Sequence, residues 1–73
     1  MTEINKLMLT MKDVLESLMD GPKTDTELLV TIPNFSLELL GKLRKLDAID
    51  HNGNLVYITS RGQYLLNDMR QKK

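Results

Sequence analysis

Residues 36–58 read SLELLGKLRKLDAIDHNGNLVYI, and the spacing of the apolar residues changes within this stretch. In the first half they recur every three or four residues, as on one face of a helix. In the second half they alternate with polar residues on either side of Asn52-Gly53. Asn-Gly is a strong signal for a two-residue hairpin turn. The stretch therefore predicts a helix from Ser36 to about Asp47, followed by a β-hairpin.

The predicted helix has two chemically different faces, because successive residues are rotated by about 100°. The face expected to be buried consists of Leu39, Leu43 and Leu46, with Leu40 at its flank. The opposite face, expected to be exposed, consists of Leu37, Glu38, Gly41, Arg44 and Lys45, with Lys42 beside it.

The predicted hairpin takes its register from the turn. With Asn52-Gly53 at the tip, Ile49 faces Val56, and Ile58 lies on the same side. His51 then lies at the hairpin tip. Two side chains point to the other side, where we expect them to pack against a helix or a second subunit: Leu55 and Tyr57.

The segment before residue 36 predicts two further helices. The first ends at Gly21-Pro22 and should turn Leu9 outward. Its apolar face is formed by Ile4, Leu7, Met8, Met11, Leu15, Leu18 and Met19. The second begins at Thr24, which forms a capping box with Glu27. It continues through Leu28, Leu29 and Ile32, and ends because Pro33 disfavours helical geometry at the preceding residue.

The segment after the hairpin predicts a fourth helix from Ser60 to about Arg70, capped by Thr59. Its apolar face consists of Leu65, Leu66 and Met69. The expected fold is thus mainly α with a small β-hairpin, in the order α-α-α-β-β-α. Residues 1–73 form one domain, and residues 71–73 form a frayed basic tail.

The amino-acid composition argues against several kinds of site and activity. The 73 residues include no Cys and one His, so we expect neither a disulfide nor a metal site, and no cofactor. No apolar run reaches membrane or signal-peptide length, so we expect a cytoplasmic protein without a membrane partner. The one His, His51, is expected on an exposed turn without a third group to orient it. We therefore expect no enzymatic activity.

The charge is neutral overall but unevenly distributed. Residues 1–38 contain three Lys or Arg and seven Asp or Glu, whereas residues 39–73 contain seven and three. A dipolar chain of this kind can present one basic face to a partner.

The order of predicted elements is that of a winged helix-turn-helix domain. The segment ELLVTIPNFSLELLGKLRKLDAID, residues 27–50, resembles the helix-turn-helix of bacterial ArsR, MarR and PadR regulators. VYITSRGQYLL, residues 56–66, resembles their step from wing strand to final helix, with Thr59 and Gly62 as its Thr-x-x-Gly. The resemblance covers about residues 24–66 and implies a DNA-binding winged helix. Those regulators carry polar residues on the exposed face of the recognition helix, where this chain has Leu37, Glu38 and Gly41.

The resemblance makes the third helix the candidate recognition helix. Arg44 can read guanine, while Lys42 and Lys45 can neutralise phosphates. Cations at a helix C-terminus are also favoured by the helix dipole alone, as Glu38 is at the N-terminus. Glu38 could instead accept from a cytosine amine, and Leu37 and Leu40 could meet thymine methyls, a protein or the core. Gly41 would allow close approach of a neighbouring backbone or a partner. The candidate wing contacts are His51, Asn52 and Asn54.

Two functions remain open from the sequence. The first is a small transcriptional regulator or accessory factor that binds double-stranded DNA. The second is a winged helix that binds a protein through its third helix and modulates a larger enzyme or host factor. Apolar surface on the first and last helices predicts a homodimer in either case.

Overall fold

The computed structural model describes residues 2–71, with side chains from residue 6 onward. The chain is mainly helical with a small antiparallel sheet, as the sequence predicts. Its elements are α1 (Thr2–Met19), β1 (Lys23–Thr24), α2 (Asp25–Thr31), α3 (Leu37–Lys45), β2 (Ile49–Asn52), β3 (Leu55–Ile58) and α4 (Ser60–Gln71). Strand β1 was not predicted, because two residues are too few to show an alternating pattern.

Helix α1 contributes one face to the core. Among its described side chains, from residue 6 onward, the buried ones are Thr10, Met11, Val14, Leu15 and Leu18. Leu9 points outward as predicted. Three residues of the predicted apolar face are exposed, so the prediction was wrong for them: Leu7, Met8 and Met19. Residues 6–9 of α1 are therefore all exposed, and the side chain of Ile4 lies outside the described part of the chain.

Helix α2 begins with the predicted capping box. The Thr24 hydroxyl accepts from the Glu27 backbone N–H at 3.1 Å, and the Thr24 N–H donates to Glu27 Oε1 at 3.0 Å. The helix ends at Ile32, which is extended ahead of Pro33 as predicted. Leu28 is fully buried, whereas Leu29 is 60% exposed and does not belong to the core.

Helix α3 ends in a tight left-handed turn. Asp47 has φ +60°, its N–H donates to the Arg44 carbonyl, and the Ala48 N–H donates to the Leu43 carbonyl, both at 3.0 Å. These two bonds form a Schellman motif. The turn redirects the chain, so that Ala48 and Ile49 fill the core instead of Leu46. Leu46 is 49% exposed, contrary to its predicted place on the buried stripe.

The hairpin is shifted by two residues from the predicted register. Ile49 pairs with Ile58, His51 with Val56, and Asn52 with Leu55. The two-residue turn is therefore Gly53-Asn54, with Gly53 at φ +64°. A shift of two preserves the side of each residue, so the buried face was predicted correctly although the partners were not.

Strand β3 lies in the centre of the sheet, in the order β1-β3-β2. Lys23 of β1 pairs with Val56, and Thr24 pairs with Leu55. Val56 is fully buried as a result. The start of α2 is thereby held beside the hairpin.

The junction between β3 and α4 is fixed by Thr59. Its backbone N–H donates to the Ala48 carbonyl at 3.0 Å, and its hydroxyl donates to the Asp47 carbonyl. The same hydroxyl accepts from the Gly62 N–H at 3.0 Å and caps α4, as predicted. Gly62 is buried against Ala48, leaving no room for a Cβ. Leu66 is buried, with Leu65 and Met69 packed beside it.

Helix α4 ends at Gln71, and residues 72 and 73 of the predicted tail lie outside the described residues.

Within residues 2–71, none of the helices combines the length and the hydropathy that a bilayer crossing requires.

Candidate functional site

The outer face of α3 is the first candidate surface. Ser36 caps the helix, with its hydroxyl accepting from the Leu39 N–H at 3.2 Å. The inner face buries Leu39, Leu40 and Leu43, so Leu40 belongs to the core. All six predicted third-helix site residues are exposed: Leu37, Glu38, Gly41, Lys42, Arg44 and Lys45.

The outer face of α3 is apolar and acidic at its start and basic at its end. The first turn carries Leu37 and Glu38, and the last turn carries Lys42, Arg44 and Lys45. A Cβ added at Gly41, between these ends, would meet no atom within 4 Å. Because the rest of the described chain leaves this face open, it is available to a partner.

Of the three cations in the last turn of α3, only Arg44 forms an ion pair within the described part of the chain. Its Nη2 lies 3.8 Å from Asp50 Oδ1, with both side chains about half exposed. An exposed pair of this kind contributes about 0–1 kcal/mol, so a phosphate could compete with Asp50 for Arg44.

Arg61, which was not among the predicted site residues, lies near the cationic end of α3. It lines a shallow hollow between α3, β2 and α4 together with Arg44, Asp47 and Asp50. The contacts of Thr59 with Asp47 and Ala48 bring the start of α4 to this position. The signal in the sequence was the Thr-x-x-Gly step, which fixes where Arg61 emerges.

The hairpin places its three predicted site residues in two different settings. Asn52 and Asn54 are exposed on either side of Gly53, as predicted. The prediction for His51 was wrong: its side chain is 26% exposed, on the core side of the sheet. Its Nε2 lies 3.8 Å from Asp25 Oδ1, and both His51 Nδ1 and Asp25 Oδ1 are buried without a hydrogen-bond partner. The shift in register moves His51 away from the turn toward α2.

A second candidate surface surrounds the turn between α2 and α3. A hollow there is lined by Asp25, Thr26, Leu29, Phe35 and Leu37. Leu29 is 60% exposed and Leu37 68% exposed, while Phe35 is buried beneath them. The chain has no Lys or Arg between Lys23 and Lys42, so this surface, which we call the apolar hollow, lies in a segment whose only charges are carboxylates.

These two surfaces are suited to binding. Among the described residues, no three His, Asp or Glu side chains are grouped so as to hold a metal ion. The cationic end of α3 suits an anionic polymer, whereas the apolar hollow suits an apolar side chain. No protein-family model, curated protein or solved structure matches the chain.

Proposed function

We propose that this chain is a winged-helix protein that binds double-stranded DNA. The order of elements supports this, with β1 between the first two helices, the hairpin after the third, and the strand order β1-β3-β2. Together with the resemblance of residues 27–50 and 56–66 to bacterial regulators, this arrangement favours α3 as the helix that enters the major groove.

The observation that carries the proposal is the open cationic end of α3. Lys42, Arg44 and Lys45 are exposed on the last turns of the helix, and Arg44 and Arg61 line one shallow hollow. Lys42 lines a different hollow, beside Lys6 of α1. Exposed cations around the end of α3 can create a local positive potential that the zero net charge of the chain does not reveal.

The charge distribution favours contact through the C-terminal half of α3. Helix-turn-helix proteins usually read bases with the N-terminal residues of this helix. Here that half carries Glu38, and the preceding helix carries Asp25 and Glu27, which phosphates would repel. We therefore propose that Lys42, Arg44, Lys45 and Arg61 meet the backbone, and that Asn52 and Asn54 at the hairpin tip touch the adjacent groove.

This model predicts weak binding with a clear salt dependence. Each phosphate contact contributes about −0.9 to the slope of log affinity against log salt concentration. Three or four contacts give a slope of about −3 to −4. A protein that binds DNA in this way would depend on a second copy to reach a useful affinity.

The test is fluorescence anisotropy with a labelled duplex of mixed sequence, titrated from about 50 mM salt upward. Each of three single variants should lower the affinity and make the slope less negative by about one: Lys42→Gln, Arg44→Gln and Lys45→Gln. Lys12→Gln is the matched control. Thr10 of α1 lines a hollow beside α3, and Lys12 is about 200° around the same helix, on a different side from that hollow. No binding at the lowest salt, or an equal loss with the control, would refute the proposal.

A further inference from the structure

We propose that the apolar hollow between α2 and α3 binds a segment of another protein that carries large apolar side chains flanked by Lys or Arg. This inference does not depend on the proposed DNA contacts, because Leu29 and Leu37 are not among the residues assigned to them under the proposed function. It rests on two exposed leucines in a hollow whose one charged lining residue is Asp25.

The hollow is built by local structure that holds two leucines apart from the core. Pro33 ends α2 and the Ser36 cap starts α3, so the chain between them turns sharply over the buried Phe35. Leu29 and Leu37 line the hollow together with Phe35, and both leucines are more than half exposed. Val30, on the same helix as Leu29, is 80% exposed. An apolar cluster of this kind, fixed on short capped elements, resembles the centre of a protein interface.

The charges around the hollow define the partner. Asp25 lines it directly, Glu38 follows Leu37, and Glu27 lies on the intervening turn of α2. The lining of the hollow contains one carboxylate, that of Asp25, and no Lys or Arg. A partner with Lys or Arg beside its apolar anchors would match both features, whereas an acidic partner or nucleic acid would be repelled.

An amphipathic helix is the form of partner that fits best. A helix can present two apolar side chains at spacing i and i+3 or i+4 on one face, so that both can enter the hollow that Leu29 and Leu37 line. A basic residue on its flank would then face Asp25, the carboxylate that lines the hollow. The proposed interface thus combines a central apolar contact with a charged rim.

The experiment is a selection from a library of random peptides displayed on phage, with the full chain as bait. The bait is compared with the double variant Leu29→Ser/Leu37→Ser and with Leu46→Ser. Leu46 is the matched control, since it is an exposed leucine that follows the cations of α3. Circular dichroism checks that each variant is folded, and the selected peptides are then measured in solution.

The expected result is enrichment of peptides with apolar residues at helical spacing and flanking Lys or Arg. Their affinity should fall about tenfold or more with Leu29→Ser/Leu37→Ser and stay unchanged with Leu46→Ser. The double variant should bind duplex DNA as tightly as the unmodified chain.

Three results would overturn the inference. The first is a consensus without basic residues, or one insensitive to the double variant. The second is loss of DNA binding in the double variant, which would assign the hollow to nucleic acid. The third is self-association of the chain that the double variant abolishes, which would make a second copy the occupant. The first and third results do not involve DNA, so they test this inference whether or not the DNA proposal survives.

Discussion

Gly62 lies against the carbonyl group of Ala48, where a Cβ at position 62 would overlap the carbonyl oxygen and come within 2.7 Å of Ile58 Cγ1. Gly62→Ala should therefore destabilise the protein, although alanine favours helices. Overpacking costs about 1–3 kcal/mol, against a helix-propensity gain of about 1 kcal/mol. The free energy of unfolding in urea measures the difference.

Gly41→Ala is the matched comparison for Gly62→Ala. Both glycines lie inside helices, but a Cβ at position 41 meets no atom within 4 Å. We expect Gly41→Ala to raise the free energy of unfolding by about 0.4–1 kcal/mol. Equal effects at the two positions would show that packing at Ala48 is not what requires glycine at position 62.

Asp47 occupies a left-handed position at the C-terminus of α3, with φ +60°. Asp47→Asn should stabilise the protein by about 0.3–1 kcal/mol, because it removes a negative charge from the negative end of the helix dipole and keeps a residue that tolerates this geometry. Asp47→Ala should destabilise it, since alanine pays about 1–2 kcal/mol in the left-handed region. Urea midpoints in the reverse order would contradict the Schellman turn.

The hairpin register can be tested at two adjacent positions. Gly53 has φ +64°, so Gly53→Val should cost about 1–3 kcal/mol. Asn52 is paired with Leu55 in extended geometry, so Asn52→Val should be neutral or stabilising. With Asn52-Gly53 as the turn, Asn52→Val would be as harmful as Gly53→Val. Thermal melts of the two variants distinguish these registers.

Self-association is predicted to use α1 and α4. Met8, Leu9 and Met19 are exposed on α1, and Tyr64 is exposed on α4. We expect light scattering to give twice the 8.4 kDa chain mass at micromolar concentration, and Leu9→Glu to shift the equilibrium toward the monomer. Val30→Glu, an equal change at an exposed site on α2, should leave the mass unchanged. A mass of 8.4 kDa for the unmodified chain at every concentration would contradict the homodimer.

The features that the sequence predicted correctly depend on neighbours within one or two turns. The capping box of Thr24 and Glu27, the break at Pro33 and the Thr59 cap each involve groups at most three residues apart. Their geometry is fixed by local sterics and hydrogen bonds. The outer face of α3 followed from helical spacing alone, so its six residues were correctly predicted to be exposed.

The features that were missed depend on contacts between distant segments. Strand β1 exists because Lys23 and Thr24 meet β3, more than 30 residues later. The hairpin register is fixed at its open end, where the Thr59 N–H donates to the Ala48 carbonyl and extends the ladder beyond Ile49 and Ile58. That bond outweighed the preference for Asn-Gly at the turn, and it placed His51 opposite Val56, one residue further from the turn.

The Thr59 junction has a consequence for the order in which the chain folds. Asp47 and Thr59 are 12 residues apart, and the contacts around them join the end of α3, both hairpin strands and the start of α4. Closing so short a loop costs little chain entropy, so these contacts can form before α1 docks. We expect substitutions at Thr59 to slow refolding, and substitutions such as Leu15→Ala in α1 mainly to speed unfolding. The segment from α3 to α4 would then be the template on which the N-terminal helices assemble.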